Sequence, residues 1–449
     1  MRKLTLLLII TANCAVFAQT NPAITSWLIN TTGIKGRHYE ATSPINSIPF
    51  VDTVLANVQT VQYNTTYAYV SATGIPAYIT GPFGDGNNFE ATAQNKIFRI
   101  PLAPVQGSGT VATTGGNIGV FINGVALFDY RDGVSWKNST SSLCGGPIMP
   151  PCTGDGKWNR DAVVGERLGF DCAKGHPAMG NYHHHQNPSA FGLDLNVISN
   201  VCTTYPSDGL YAINPNVHSP LLGFAYDGFP IYGAYAYTNT NGTGGIVRMK
   251  SGYQLRNITT RTVWADGTDV LDGPAVSTTY PLGYFREDYE FASHLNDPSY
   301  LDSHNGRFCI TPEYPTGIYC YFATVDANYN SAYPYVVGPT FYGNRTVSVV
   351  ANVPAGTETL ASNSIMNSDF KVTVAPNPAS EFIAIQTPMA EKDLDVYLIN
   401  ELGQTVKSSK IFQGSTLSVI ETETIYNGVY FVKVTDGKND KTVKVIINK

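Results

Sequence analysis

The chain has 449 residues, only 14% of them charged, and a formal net charge of −6. That balance gives no basis for nucleic acid or an anionic membrane as a partner. With 43% hydrophobic residues there is ample material for cores, and 28 Tyr, 20 Phe, 42 Gly and 27 Pro predict a mainly β protein of short strands punctuated by turns.

The chain opens with Arg2 and Lys3, then an apolar run from Leu4 to Ile10. Val16-Phe17-Ala18 has the spacing of a cleavage site. Residues 1–18 therefore read as a secretory signal peptide. No other apolar run reaches the ~20 residues that a spanning helix needs, so no transmembrane span is expected. Of the seven cysteines, Cys14 falls in the leader and six remain: Cys144, Cys152, Cys172, Cys202, Cys309 and Cys320. Export places them where disulfides persist. Nearness in sequence favours Cys144–Cys152, Cys172–Cys202 and Cys309–Cys320.

Residues 19–358 read as one large antiparallel β domain. Ile118 to Phe128 is a hairpin with Asn123-Gly124 at its turn, and Phe224 to Gly233 repeats that grammar with Asp227-Gly228. Between them stands Tyr182-His183-His184-His185, three of the eight histidines in one run. If this run is a strand, His183 and His185 project from one face and Tyr182 and His184 from the other. Imidazoles two apart on a strand can ligate one ion, with Zn²⁺ and Cu²⁺ both suited. A third ligand must come from elsewhere. His176 ranks first, because Pro177 and Gly180 can turn the chain back towards the strand; His218, His304 and Asp227 are the other candidates. The competing readings for the histidines are a structural hydrogen-bond network and acid–base catalysis.

The segments Gly119–Gly124, Gly175-His176-Pro177 with Tyr182–His185, Gly223–Gly233, Leu301–Arg307 and Thr311–Pro315 resemble the YHYH family of secreted proteins. The resemblance implies an extracellular, mostly β domain and no agreed activity. The chain departs from it at His184, where the family name has Tyr. It departs again at Tyr319-Cys320-Tyr321-Phe322, where a second histidine tetrapeptide is expected in some relatives. None of Gly-x-Ser-x-Gly, a phosphate loop or His-Glu-x-x-His occurs, so no catalytic residue set stands out. The functional reading is a His-based metal site, Zn or Cu, at His183, His185 and His176. The alternative is a non-catalytic surface module that binds glycan or protein through its many tyrosines.

A polar linker at 359–369 precedes strands at Phe382–Ile385, Leu394–Ile399, Val429–Val434 and Val443–Ile447, enough for a small Ig-like β-sandwich over residues 370–449. Val374–Ala379, Asn400–Gln404, Asn427–Val434 and Lys444–Lys449 resemble the type IX secretion sorting domain of Bacteroidota. The resemblance implies the type IX secretion machinery as a partner, a secreted or outer cell-surface location, and removal of the domain with release of the rest or its attachment at the cell surface.

Overall fold

The computed structural model describes residues 21–40, 49–84, 90–146, 152–195, 201–360, 371–390, 392–400, 404–437 and 440–449. The leader and most of the linker lie outside them. The chain divides into two compact units: residues up to Ile29 with Lys35–Leu360, and Asn30–Ile34 with Ala361–Lys449.

Hairpins build the larger unit. Its central sheet has eight strands, numbered here in chain order: β1 Asn117–Phe121, β2 Ala126–Phe128, β3 Gly175–Ala178, β4 Asn181–His184, β5 Leu221–Ala225, β6 Pro230–Tyr232, β7 Gly306–Cys309 and β8 Ile318–Phe322. Their order across the sheet is β3-β4-β2-β1-β5-β6-β8-β7. Two turns of one kind make β1–β2 and β5–β6. The Gly124 and Gly228 amides each donate back to the residue three before, Phe121 and Ala225, over 2.8 Å. Both glycines hold positive φ, +80° and +92°, the left-handed position that follows a tight turn in a three-residue hairpin loop.

That order is two-fold pseudo-symmetric. At the centre β1 and β5 run antiparallel, with Gly119 opposite Ala225, Val120 opposite Phe224 and Phe121 opposite Gly223. Outward from this pair, β2 corresponds to β6, β4 to β8 and β3 to β7. β2 and β4 are parallel with Leu127 opposite His184, and β6 and β8 are parallel with Ile231 opposite Tyr321. The outer hairpins match as well: Gly175 faces His184, and Gly306 faces Tyr321. Each is entered through the same loop. Asp171 and Asp302 accept the amide of the glycine four residues on and the hydroxyl of Tyr182 or Tyr319. A Cβ at Gly175 or Gly306 would strike those same hydroxyls.

A five-stranded sheet, ordered Ser348–Val350, Lys96–Pro101, Tyr67–Ala72, Val58–Tyr63 and Glu358–Thr359, supplies the second layer. Val61, Val70, Phe98 and Ile100 from it share one buried cluster with Val120, Phe121, Leu127, Phe224 and Ile231 of the central sheet. A smaller sheet joins Arg131–Lys137 to Ser142–Gly145 and Asn159–Asp161.

The smaller unit is an Ig-like β-sandwich. One sheet holds Thr373–Ala375, Phe382–Gln386 and Leu417–Glu421; the other holds Thr405–Ile411, Leu394–Asn400, Gly428–Thr435 and Asp440–Ile447. Period-two alternation turns Ile383 and Ile385 of the first sheet, and Val396, Leu398, Val432 and Val434 of the second, into a common core.

Two disulfides form, Cys144–Cys152 and Cys172–Cys202. The third expected pair does not: Cys309 and Cys320 are buried free thiols. Cys309 lies opposite Ile318 and Cys320 opposite Arg307, so the two cysteines are diagonal neighbours, and their thiols touch without being bonded. Peptide mapping after alkylation of the unreduced, denatured protein should find Cys309 and Cys320 modified and the other four blocked; a Cys309–Cys320 cross-linked peptide would show that the touching thiols close into a third disulfide. Reducing Cys172–Cys202 should cost about 2–4 kcal/mol, read as a lowered melting temperature.

Candidate metal centre

Three local features bring the histidines together. Met179 and Gly180 both hold positive φ, 48° and 86°, which is the two-residue turn that matches strand twist. The turn folds β3 onto β4 so that His176 stands directly opposite His183. Pleating puts His183 and His185 on one face. Their Nε2 atoms lie 3.0 Å apart, and His176 Nε2 lies 3.4 Å from His185 Nε2. All three side chains are buried, and Phe128 stacks on His183 with ring centroids 3.7 Å apart.

Two main-chain carbonyls orient the rings. His183 Nδ1 donates to Asn181 O over 2.8 Å and His185 Nδ1 to Asp129 O over 2.7 Å. A carbonyl oxygen only accepts, so the proton of each neutral ring sits on Nδ1 and the Nε2 lone pairs face each other. Two lone pairs at 3.0 Å repel unless a cation, proton or metal, lies between them.

Glu166, a residue the sequence reading did not single out, stands beside two of the three histidines. Asp161 caps the one-turn helix Ala162–Gly165 by accepting from the Val163 and Val164 amides, and Glu166 closes its C-terminus. Glu166 Oε2 is 3.2 Å from both His176 Nε2 and His185 Nε2. Burial alone would raise its pKa; its contacts with His176 and His185 overcome that and hold it well below the usual carboxylate range. Burial, reinforced by His176 and His185, pushes His183 well below the ordinary histidine value. Burial also pulls His185 down, but the Glu166 contact and charge outweigh it and hold His185 above that value. One wall of a cleft of about 960 Å³ is formed by His176, His183, His185 and Glu166, with Asp132 and Arg160 nearby. Burial lifts Asp132 to about 6 even though Arg160 pairs with it.

His184 points the other way. Its Nε2 meets the Tyr78 hydroxyl at 2.6 Å and its Nδ1 donates to Lys174 O over 3.0 Å, and burial pushes it down to about 3. The remaining candidates lie outside the cluster. His218 Nδ1 donates to Ser219 O, His304 Nδ1 meets Thr340, and Asp227 accepts from Tyr321 and the Gly343 amide. The Asp302 carboxylate accepts the His304 amide, an Asx turn. In the pseudo-symmetric half, the places of His176, His183 and His185 are taken by Arg307, Cys320 and Phe322.

Together these features define a β-sheet protein with a buried three-histidine cluster on the wall of a cleft. Residues 97–334 match the family model described as YHYH protein, and the chain belongs to that family. Residues 373–448 match the secretion system C-terminal sorting domain. This tail, read by the type IX secretion machinery, marks the chain as secreted or cell-surface. Among the described residues no helix is long and apolar enough to cross a membrane. No curated protein matches the chain. Among solved structures, PorZ, an essential bacterial surface component of the type-IX secretion system of Porphyromonas gingivalis, is similar at 10% identity over 88% of this chain and 51% of that one. The chain thus spans about half the length of PorZ, and the TM-score of 0.17 carries no structural argument.

Replacing His184 by Ala removes one partner of the Tyr78 hydroxyl and the Nδ1 donor to the Lys174 carbonyl, and leaves a cavity. It should cost about 2–4 kcal/mol of stability, measured by urea unfolding. A loss below about 0.5 kcal/mol, within the range of ordinary surface substitutions, would mean that His184 does not anchor the fold.

Proposed function

We propose that the larger unit binds one transition-metal ion, zinc or copper, through Nε2 of His176, His183 and His185. The observation that carries the reading is the opposed pair of Nε2 lone pairs, fixed by the Asn181 and Asp129 carbonyls. Metal-ligating histidines commonly donate their other ring nitrogen to such a carbonyl, which sets tautomer and ring orientation together. Two donors about 2.0–2.1 Å from a tetrahedral ion stand about 3.3–3.4 Å apart; His176 and His185 are at 3.4 Å, and His183 and His185, at 3.0 Å, would move apart slightly to take the ion. The pseudo-symmetric half supplies Arg307, Cys320 and Phe322 instead, so the two-fold does not repeat the cluster.

Little favours the glycan-binding alternative. Tyr130, Tyr182, Tyr226, Tyr232, Tyr319, Tyr321 and Tyr333 are buried, which leaves them to the core rather than to a sugar face. On the reading of the chain ends, residues 1–18 are removed at export from a Bacteroidota cell, and loss of 370–449 precedes release or surface attachment of the rest.

Elemental analysis of the full chain, dialysed against trace zinc and copper, should count one ion. His183→Ala/His185→Ala should count none while keeping the parent's circular dichroism. No metal in the folded parent would reject the proposal.

Acidity gives a second check. The raised pKa of His185 means that it takes a proton at higher pH than an ordinary histidine, whose value is about 6.5. A metal must displace that proton. Affinity should be full well above neutrality and begin to fall, as pH drops, before the ordinary histidine range is reached. A pH-independent affinity between about pH 8 and pH 5 would contradict the assignment of His185 as a ligand.

A further inference from the structure

We infer that Lys174 and Asn187 join in an intramolecular isopeptide bond, Lys174 Nζ to Asn187 Cγ, with Asp194 carrying the proton. The bond is a covalent modification that needs no ion, so it stands apart from the three-histidine reading above.

The three groups are buried together. Lys174 immediately precedes β3, and Asn187 lies two residues past His185. Lys174 and Asn187 are each 0% exposed, and the Asp194 side chain is 4% exposed. Lys174 Nζ lies 3.3 Å from Asn187 Oδ1 and 2.8 Å from Asp194 Oδ1. A C=O bond is about 1.23 Å long, so the carboxamide carbon stands within about 4.5 Å of the amine. A small turn of the carboxamide closes that to the roughly 3–3.5 Å of an attacking pair. The carboxamide is gripped at both ends: Ser331 Oγ donates to Oδ1, and Nδ2 donates to Ser189 Oγ over 2.6 Å.

The loop itself does not ask for a lysine. Lys174, three residues after Asp171, holds a positive φ of 65°; Asn305, three residues after Asp302 in the pseudo-symmetric half, holds the same angle. Asn tolerates the left-handed region, and Asn305 donates to the Phe322 and Val336 carbonyls. Lys174 occupies the same position with a fully buried amine, although lysine is almost never buried unless paired.

Burial readies the reactants. It pulls the Lys174 amine down from its ordinary value, against the attraction of Asp194, and it pushes the Asp194 carboxyl up. A neutral, desolvated lysine amine is a nucleophile. Nζ attacks Cγ, and the carbonyl electron pair moves onto Oδ1, where the Ser331 hydroxyl stabilises it. Once Nζ and Nδ2 share Cγ, the Asp194 carboxyl on Nζ reaches both nitrogens. It gives its proton to Nδ2 and takes one from Nζ. The Oδ1 pair then re-forms the carbonyl, the Cγ–Nδ2 bond breaks, and ammonia leaves. Atoms and charge balance with no oxidant or cofactor, and Asp194 ends as it began. The product clamps the base of the β3–β4 hairpin that carries His176, His183 and His185. Unlike Cys172–Cys202, it survives reduction.

Mass spectrometry of the reduced, alkylated full chain after trypsin tests the bond. Trypsin should fail to cut after Lys174, so that residues 168–248 appear as one peptide, lighter by one ammonia, with fragment ions placing the link between Lys174 and Asn187. Cleavage after Lys174 throughout the parent, with Asn187 unmodified, overturns the inference. A peptide lighter by one water and linked at Asp194 also overturns it, because Asp194 is then the acceptor. Asp194→Asn, shown by its thermal melt to fold, should be cut after Lys174 and keep the full mass; if it is linked as completely as the parent, Asp194 is not the proton carrier. The parent's mass decides the bond even where a variant fails to fold.

Discussion

Two peptide carbonyls govern what the histidine cluster can be. Asn181 O and Asp129 O accept from Nδ1 of His183 and His185, and because a carbonyl cannot donate, the inward nitrogens are left as bases. Every other property of the cluster follows from that. The bases face each other at 3.0 Å, so the group tolerates only a cation between them. The pull of Glu166 on His185 is what a site held by a proton would display, and the same position suits a metal ion. The backbone thus fixes the tautomers before any ligand arrives, which lowers the ordering cost of binding one.

The pseudo-two-fold arrangement explains why the cluster exists on one side only. Both halves keep the features that make the hairpins: the Asp that accepts a glycine amide and a tyrosine hydroxyl, and the turn glycines Gly124 and Gly228. These concern folding and tolerate little change, because a Cβ at Gly175 or Gly306 would displace a buried tyrosine. The residues on the opposite face are free to differ. Where one half gathers imidazoles, the other places the Arg307 guanidinium, which donates to the Thr238, Pro298 and Tyr237 carbonyls. A permanently charged side chain satisfies that half without a bound cation.

What could be read from the chain follows the range of the interactions. The hairpins announce themselves because Asn123-Gly124 and Asp227-Gly228 are local turn chemistry, and the shared face of His183 and His185 is a period-two statement about one strand. His176 was reachable for a partly mistaken reason. Pro177 is no turn residue but part of β3, tolerated there because β3 is the sheet's edge; the turn is Met179-Gly180. Thr405–Ile411 went unmarked as a strand because its polar run Lys407-Ser408-Ser409-Lys410 carries no apolar alternation, as suits an edge strand. Glu166 and the thiols of Cys309 and Cys320 were out of reach altogether. Their contacts depend on which strand lies beside which and in what register, and no spacing along the chain encodes that.

The choice of donors also fits the destination. Four of the exported cysteines are committed to disulfides, as an oxidising compartment favours. A thiolate metal site there would compete with oxidation, because the same deprotonated sulfur is both ligand and reductant. Imidazole carries no such liability. The two remaining thiols, Cys309 and Cys320, are buried in the half of the sheet that lacks the histidines. The fold therefore keeps sulfur for covalent bracing and core packing, and gathers on the wall of its cleft imidazoles, which air does not consume.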